Sequence, residues 1–186
     1  LNEQLQRSNR TVEETMEHMM DLYRCIGALT SQTERKALLR MFADYAVLLS
    51  GAAAAFVSPD SDAFNSENMI ISGELGEITA QDILQALKTA KDAKRLESGV
   101  YTVHYGAFVT VIAPVTVSNG FCVNLGIMIR YDESDKLLSP NVYRLSFLAQ
   151  LCGVVLERFV TEEMENHLMI VQEQNRISNE MHDNVV

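Results

Sequence analysis

Three runs rich in β-branched and aromatic residues occupy the centre of the chain and constrain its fold most. They cover residues 100–104, 107–117 and 121–131, and Ser-Asn-Gly at 118–120 separates the last two. Asn-Gly between such runs predicts a β-hairpin, because a type I′ turn requires positive φ at both central residues. Pro114 lacks a backbone N–H, which predicts a bulge, a bend or a free edge at that point.

Before these runs, the spacing of apolar residues predicts two helices and two strands. Gly51 separates the first helix from the first strand. The predicted elements are a helix over 34–49, a strand over 52–57, a strand over 69–72 and a helix over 79–94.

A single long helix is predicted after the strands. Ser139 and Pro140 are residue types favoured at the N-cap and at the first helical position. Apolar residues follow at helical spacing, and neither proline nor glycine occurs after Gly153. We therefore expect one unbroken helix from Ser139 to about His182.

The first 29 residues predict a parallel, intermolecular coiled coil. Two sets of residues, each repeating every seven positions, form an a/d seam. Asn9 in this seam is a polar residue of the kind that fixes register and a two-stranded state. The alternative is a solitary amphipathic helix that packs on its own domain. The seam comprises Leu5, Val12, Met19 and Ile26 together with Asn2, Asn9, Met16 and Tyr23.

Composition limits the classes of protein to which the chain can belong. A length of 186 residues accommodates one domain with extensions, and 47% hydrophobic residues support a packed core. The net charge of -10 argues against a nucleic-acid partner, which requires clustered Lys and Arg. No apolar run approaches the length of a membrane span. The cysteine content of the chain favours a cytoplasmic location. Because the chain starts at Leu1 and has polar helices at both ends, we expect it to be a piece of a longer protein. The sequence leaves open whether a membrane segment lies upstream of Leu1.

The three cysteines, Cys25, Cys122 and Cys152, are odd in number and widely spaced. This pattern fits neither a disulfide framework nor a metal knuckle, so we expect reduced thiols and no metal site. An alternative is redox pairing of Cys25 with Cys152, if the entering and leaving helices pack side by side.

The end of the long helix carries a recognisable motif. Residues 175–186 read NRISNEMHDNVV. This segment resembles the phospho-acceptor box of two-component sensor histidine kinases, in the subfamily whose box reads R-[IL]-A-x-E-[LM]-H-D. That subfamily is the H-D-x-x-x-Q, NarL/DesK-like group. Ser178 stands where the family has alanine.

The resemblance implies a role for four residues. His182 would be the phospho-acceptor and Asp183 the carboxylate that orients its ring and accepts its proton, while Glu180 and Arg176 would lie near the docking surface for an ATP-binding domain. ATP and Mg²⁺ would be held by that domain, which this chain lacks, so the chain alone should be inactive. The subfamily's glutamine would follow Val186 directly.

The order of the predicted elements resembles the GAF sensor domain over residues 30–160. The hairpin and the closing segment LAQLCGVVL at 148–156 carry this resemblance. It implies an α+β fold, with an antiparallel sheet, helices packed on one side and coiled-coil helices at both ends. The expected divisions are 1–29 for the entering helix, 30–160 for the sensor domain and 161–186 for the start of the phospho-acceptor helix.

GAF-type domains bind small molecules between the sheet and the loops that carry a helix, so the resemblance also implies a ligand pocket. No motif for a bilin, a cyclic nucleotide or an iron site occurs, and the ligand is left open. The predicted lining is Phe56, Met69, Ile71, Ile83, Leu87, Tyr101, Val103, His104, Phe108, Thr110, Ile112, Val123 and Leu125.

Together these resemblances predict the input region of a sensor histidine kinase. The expected partners are a second copy of the chain in parallel, the receiver domain of a response regulator, and a small-molecule ligand. The alternative is a non-enzymatic scaffold that dimerises or binds a ligand and carries a degenerate box.

Overall fold

The computed structural model describes most of the chain from residue 34 onward. The described residues are 34–59, 69–74, 78–92, 99–118 and 120–183. The predicted N-terminal coiled coil over 1–29 lies outside them.

The helices and strands follow the predicted order. They are α1 (Arg35–Ser50), β1 (Ala54–Pro59), β2 (Ile70–Gly73), α2 (Ala80–Asp92), β3 (Tyr101–Tyr105), β4 (Phe108–Thr116), β5 (Cys122–Arg130), a 3₁₀ turn (Tyr131–Glu133) and α3 (Ser134–Asp183).

The five strands form one antiparallel sheet in the order β2-β1-β5-β4-β3. The predicted hairpin is present, and its β4–β5 register ends with Thr116 opposite Cys122. Its turn is not the predicted type I′ turn centred on Asn-Gly. The Gly120 N–H donates to the Val117 carbonyl at 3.0 Å, so Gly120, with a φ of 82°, is the last residue of the turn and not a central one. Pairing of β3 with β4 ends where Tyr101 faces Ile112. Pro114 lies beyond that point, so its missing N–H costs no β3–β4 hydrogen bond, which matches the predicted free edge.

The α+β class and the antiparallel sheet are confirmed, but the position of one helix needs correction. Helices α1 and α3 share one face of the sheet, as expected, where Phe42 and Leu148 pack with Leu125. Helix α2 covers the other face, where Ile83 packs with Phe56. Both faces are therefore buried, which explains why the strand segments are almost continuously apolar and do not alternate.

Helix α3 begins earlier than predicted. It starts at Ser134 and contains Pro140 in its second turn, although proline there removes one helical hydrogen bond. Leu137 and Leu138 are half-buried against the core that α1, α3 and the sheet share, and this packing outweighs the local signal. The hydroxyl of Ser134 also donates to the Tyr131 carbonyl at 2.7 Å.

The C-terminal end of α1 is held by α3. Gly51 ends α1 with a φ of 63°, and its N–H donates to the Val47 carbonyl at 2.9 Å. The last carbonyls of a helix have no partner within it. Here Asn141 Nδ2 donates to the Ser50 carbonyl at 2.9 Å, and Arg144 Nη1 donates to the Leu49 carbonyl at 3.2 Å. These contacts fix how α3 lies on α1.

Beyond Val160, α3 leaves the sheet. Val160 is 4% exposed, whereas every residue from 161 to 181 is exposed. The helix is nevertheless continuous over 50 residues, as predicted. Among the described helices, none is both long enough and apolar enough to cross a membrane.

The hairpin is attached to α3 by one carboxylate. Ser118 donates its backbone N–H to Glu157 Oε2 at 2.9 Å and its hydroxyl to Glu157 Oε1. The side-chain hydrogen bond from Ser118, followed by the backbone one, lowers the pKa of Glu157. The contact therefore favours the charged carboxylate.

We expect the Ser118–Glu157 contact to be sensitive to acid. Because the folded-state pKa of Glu157 is lowered, the contact contributes fully above the ordinary glutamate pKa and is lost as the pH falls through the lowered value. An NMR titration should show the Ser118 amide shift moving in that window. The Glu157→Gln variant is the control and should abolish this transition; an unchanged transition would contradict the assignment.

We also expect Gly126→Ala to destabilise the fold. A Cβ at Gly126 would lie 2.1 Å from Phe56 Cζ, and Phe56 is fully buried. Overpacking of this kind costs about 1–3 kcal/mol of unfolding free energy. Urea denaturation followed by circular dichroism measures the loss.

The matched control is Gly153→Ala on α3, where a Cβ would meet Val115 Cγ1 at an ordinary 3.6 Å. This change should stabilise by about 0.5–1 kcal/mol, because glycine disfavours helix interiors. The Phe56→Leu change should relieve the Gly126→Ala variant. Equal stability of the two alanine variants would contradict the packing described.

Candidate functional site

Residues 175–181 of the motif are exposed near the end of α3, and two of the predicted residues, Arg176 and Glu180, form an ion-pair network with Glu173. Arg176 Nη2 lies 2.6 Å from Glu173 Oε1, Arg176 Nε lies 2.9 Å from Glu173 Oε2, and Arg176 Nη1 pairs with Glu180. Hydrogen bonding to Glu173 and then to Glu180 raises the pKa of Arg176, and the same contact with Arg176 lowers the pKa of Glu173. These spacings of three and four residues support the helix locally.

His182 and Asp183 lie in the last turn of α3, and their side chains are outside the described part of the structure. Their position on the helix is set by register, at about 100° per residue. Arg176 and Glu180 then lie about 120° and 160° around the helix from His182. The four predicted residues therefore share one helix end but not one side of it.

Most of the predicted pocket residues do lie together, on the face of the sheet that α2 covers. Those within or against this cluster are Phe56, Met69, Ile71, Ile83, Leu87, Tyr101, Val103, Phe108 and Ile112. Thr110 joins them, because it alternates along β4 with Val109 and Val111 and lies opposite Val103 and Met128.

Three predicted pocket residues lie away from this cluster. Val123 and Leu125 belong to the opposite core, beneath α1 and α3. His104 follows Val103 on β3, so it faces away from α2. It is exposed, and its ring lies edge-on to Tyr131 with 6.1 Å between ring centroids. A strict two-residue period along β3 would have excluded His104, because Tyr101 and Val103 lie on the other face.

Sequence reasoning missed the residue at the centre of this face, Gly126. It lies opposite Phe56 on β1 and Ile112 on β4. Because glycine has no side chain, the Phe56 ring fits against Gly126, whereas a Cβ at this position would clash with the ring. Phe56, Ile83, Ile112 and their neighbour Met128 are each 1% exposed or less, so the chain's own side chains fill this part of the face.

A few polar groups are buried on the same face. Thr110 is fully buried, and among the described residues its Oγ1 has no hydrogen-bond partner. Ser58 and Asn124 lie opposite each other on β1 and β5, and are 2% and 8% exposed. Ser58 Oγ donates to the neighbouring Pro59 carbonyl at 3.3 Å. Among the described residues, these groups are polar contacts that this face offers.

The cysteines and metal-ligand residues provide no second site in the described ranges. Burial raises the pKa of the Cys152 thiol strongly, so little of it is the reactive thiolate. Cys122 is half-buried, with its Sγ 3.6 Å from Thr116 Oγ1. Across the described residues, no group of three or more His, Cys, Asp or Glu side chains is placed to hold a metal ion. Cys25 lies outside these ranges.

We expect Thr110→Val to leave the unfolding free energy unchanged or to raise it by up to about 1 kcal/mol, because a buried hydroxyl without a partner is a cost that valine removes. Chemical denaturation of the purified protein measures the difference.

Ser50→Ala serves as the control for this prediction. The Ser50 hydroxyl donates to the Ala46 carbonyl at 2.5 Å and accepts the Ala52 N–H at 3.1 Å, so its loss should cost about 1 kcal/mol. A comparable loss in Thr110→Val would mean that the Thr110 hydroxyl has a partner in solution.

No family model matches the chain, and no curated protein sequence matches it significantly. The fold is similar to the crystal structure of the GAF domain of a protein described as a sensor histidine kinase from Pseudomonas syringae pv. tomato. The TM-score is 0.61 at 13% identity, covering 86% of this chain and 98% of that chain. The GAF domain of the cyanobacteriochrome TePixJ (TM-score 0.48, 11% identity, 72% and 95% covered) and Myxococcus xanthus MglB (0.42, 12%, 68% and 92%) align less well. The chain therefore has a GAF-like fold.

Proposed function

We propose that the chain is the sensory input region of a two-component sensor histidine kinase of the H-D-x-x-x-Q subfamily, and that His182 is its phospho-acceptor. The observation that supports this most is the continuity of α3. One helix both packs in the core of a GAF-like domain and carries the R-I-S-N-E-M-H-D segment at its end.

The chemistry proposed for His182 is attack on the γ-phosphate of ATP held by a separate kinase domain. A neutral imidazole attacks through one ring nitrogen while the other carries the hydrogen. The carboxylate of Asp183 would accept a hydrogen bond from that nitrogen, which fixes the tautomer and stabilises the imidazolium as it forms. Glu180 and Arg176 would help to present this helix end to the kinase domain.

The proposed assembly is a parallel homodimer in the cytoplasm. Met164, Leu168 and Val171 are 61%, 60% and 38% exposed on the part of α3 that extends past the sheet, and a second copy of α3 would bury them. A small molecule bound on the α2 face would be the stimulus. The phosphoryl group would pass from His182 to the receiver domain of a response regulator.

We expect the full-length protein to incorporate acid-labile, alkali-stable phosphate from labelled ATP, and His182→Ala to abolish it. Asp183→Asn should slow incorporation by about 10²–10⁴-fold, the usual contribution of an acid–base group. Acid quench and mass spectrometry of the labelled peptide measure the rate and the position.

His167→Ala is the matched control, because His167 lies on the exposed part of the same helix and should label normally. Folded wild-type protein that takes up no phosphate, or label that survives in His182→Ala, would contradict the proposal. The first outcome would favour a scaffold with a degenerate box.

A further inference from the structure

The first residue of α1, Arg35, is an unfavourable residue for its position in the helix. The N-terminal turn of a helix carries a partial positive charge, so an acidic side chain stabilises it and an arginine does not. Helix α1 has no acidic residue in its first turn. Arg35 Nε is also buried without a hydrogen-bond partner among the described residues, which is a further cost. An arginine at this position therefore needs another explanation, and its contacts with distant residues supply one.

The guanidinium of Arg35 contacts two aromatic rings and one carboxylate. Its Cζ lies 5.1 Å from the centre of the Phe121 ring and 5.9 Å from that of the Phe159 ring. Its Nη2 donates to Glu163 Oε2 at 2.5 Å. Phe121 directly precedes β5, whereas Phe159 and Glu163 lie on α3. These four residues, which we call the Arg35 clamp, join the start of α1, the β4–β5 hairpin and α3.

The Arg35 clamp lies where α3 leaves the sheet. Val160 is the last buried residue before the exposed segment 161–181. Glu157 and Glu163 are three residues before and after it, so they lie about 60° to either side of Val160 around the helix. Ser118 of the hairpin holds Glu157 on one side, and Arg35 holds Glu163 on the other. The last turn of α3 on the sheet is therefore held from both sides.

A small change in the direction of α3 at this point produces a large displacement of His182. His182 follows Glu163 by 19 residues, which corresponds to about 29 Å of helix. A tilt of about 10° would then move His182 by about 5 Å. A displacement of about 1 Å can lower the rate of an aligned reaction about 100-fold. Productive alignment of His182 therefore requires that the direction of α3 is fixed at the point where it leaves the sheet.

We propose that Arg35 is a positioning residue for the phosphorylation of His182, because its contacts with Phe159 and Glu163 fix the direction in which α3 leaves the domain. This inference rests on the proposed role of His182. Arginine suits the role because its planar guanidinium stacks on aromatic rings and donates hydrogen bonds in its own plane at the same time. The contacts with the rings and with Glu163 explain why a residue with two local costs occupies the start of α1.

Spin-label distance measurements on the full-length protein test whether Arg35 fixes the direction of α3. The accessible cysteines Cys25 and Cys122 are replaced by serine, and the buried Cys152 is kept. Leu48→Cys on α1 and Met169→Cys on α3 carry the labels, because Leu48 and Met169 are 69% and 59% exposed. Labelled chains are produced with an excess of unlabelled chains, so that both labels of a measured pair lie in one chain. Double electron–electron resonance then gives the distribution of the distance between the labels.

We expect a distance distribution at least about twofold broader in Arg35→Lys than in the parent, because an ammonium keeps the charge but cannot stack in a fixed plane. Phe159→Leu should broaden the distribution in the same way, whereas Phe159→Tyr keeps an aromatic ring and should not. The matched control is Arg158→Gln, which breaks a 2.7 Å ion pair with Glu162 within α3. This variant should keep the narrow distribution.

The rate of His182 phosphorylation from labelled ATP is the second measurement. Arg35→Lys should lower the rate constant at saturating ATP by at least about tenfold, because fewer of the sampled positions of His182 are productive. The KM for ATP should not change, since ATP is held by the separate kinase domain. Arg158→Gln should be phosphorylated normally. Urea denaturation, followed by circular dichroism, should show that Arg35→Lys is fully folded under the assay conditions.

The two measurements separate this inference from the proposed function. An unchanged distance distribution in Arg35→Lys would overturn the inference, and so would a broader distribution with a normal rate of phosphorylation. A wild-type full-length protein that takes up no phosphate on His182 would refute the proposed function and with it the role of Arg35 in phosphorylation. A broader distribution in Arg35→Lys would in that case still assign the direction of α3 to the Arg35 clamp.

Discussion

Burial of α3 against the sheet is the interaction on which the rest of the structure depends. Leu148, Cys152 and Leu156 are 2% exposed or less, and they cover the same face as α1. Asn141 and Arg144, near the start of α3, also satisfy the last carbonyls of α1. The helix that leaves the domain is therefore part of its core. Any change in the sheet or in α1 must be accommodated by α3, because close-packed interiors deform little.

The sequence predicts the elements well where the signal is local. The β4–β5 hairpin, the stop at Gly51 and the unbroken end of α3 depend on glycine at the turns and on the absence of helix breakers. The local signal at Ser139 and Pro140 predicts a start of α3 that is too late. Packing of Leu137 and Leu138 against the core is a tertiary effect, and it lets the helix begin earlier. Local rules predict where a helix can start, whereas packing decides where it does.

The candidate sites divide in the same way. The motif around His182 can be recognised in the sequence because its residues are adjacent on one helix. The residues on each face of the sheet cannot be predicted in this way, because both faces are buried and the apolar runs of β4 and β5 do not reveal which residues point to which side. The pocket prediction consequently includes Val123 and Leu125, which lie on the opposite face. The role of Gly126 is not visible from its neighbours in the sequence. Gly126 makes room for the ring of Phe56, which comes from a strand about seventy residues earlier.

The arrangement also determines how a stimulus on the α2 face could reach α3. The two cores are separated only by the sheet, and on β5 Met128 faces α2 while Ile127 faces α3. A molecule that entered the α2 face would have to displace Phe56 from its position over Gly126. Because β1 and β5 are paired there, the strand backbone would carry that displacement to Ile127 and so to α3. Such coupling would need no path outside the core, but it would require two arrangements of α3 that differ in how they pack on β5.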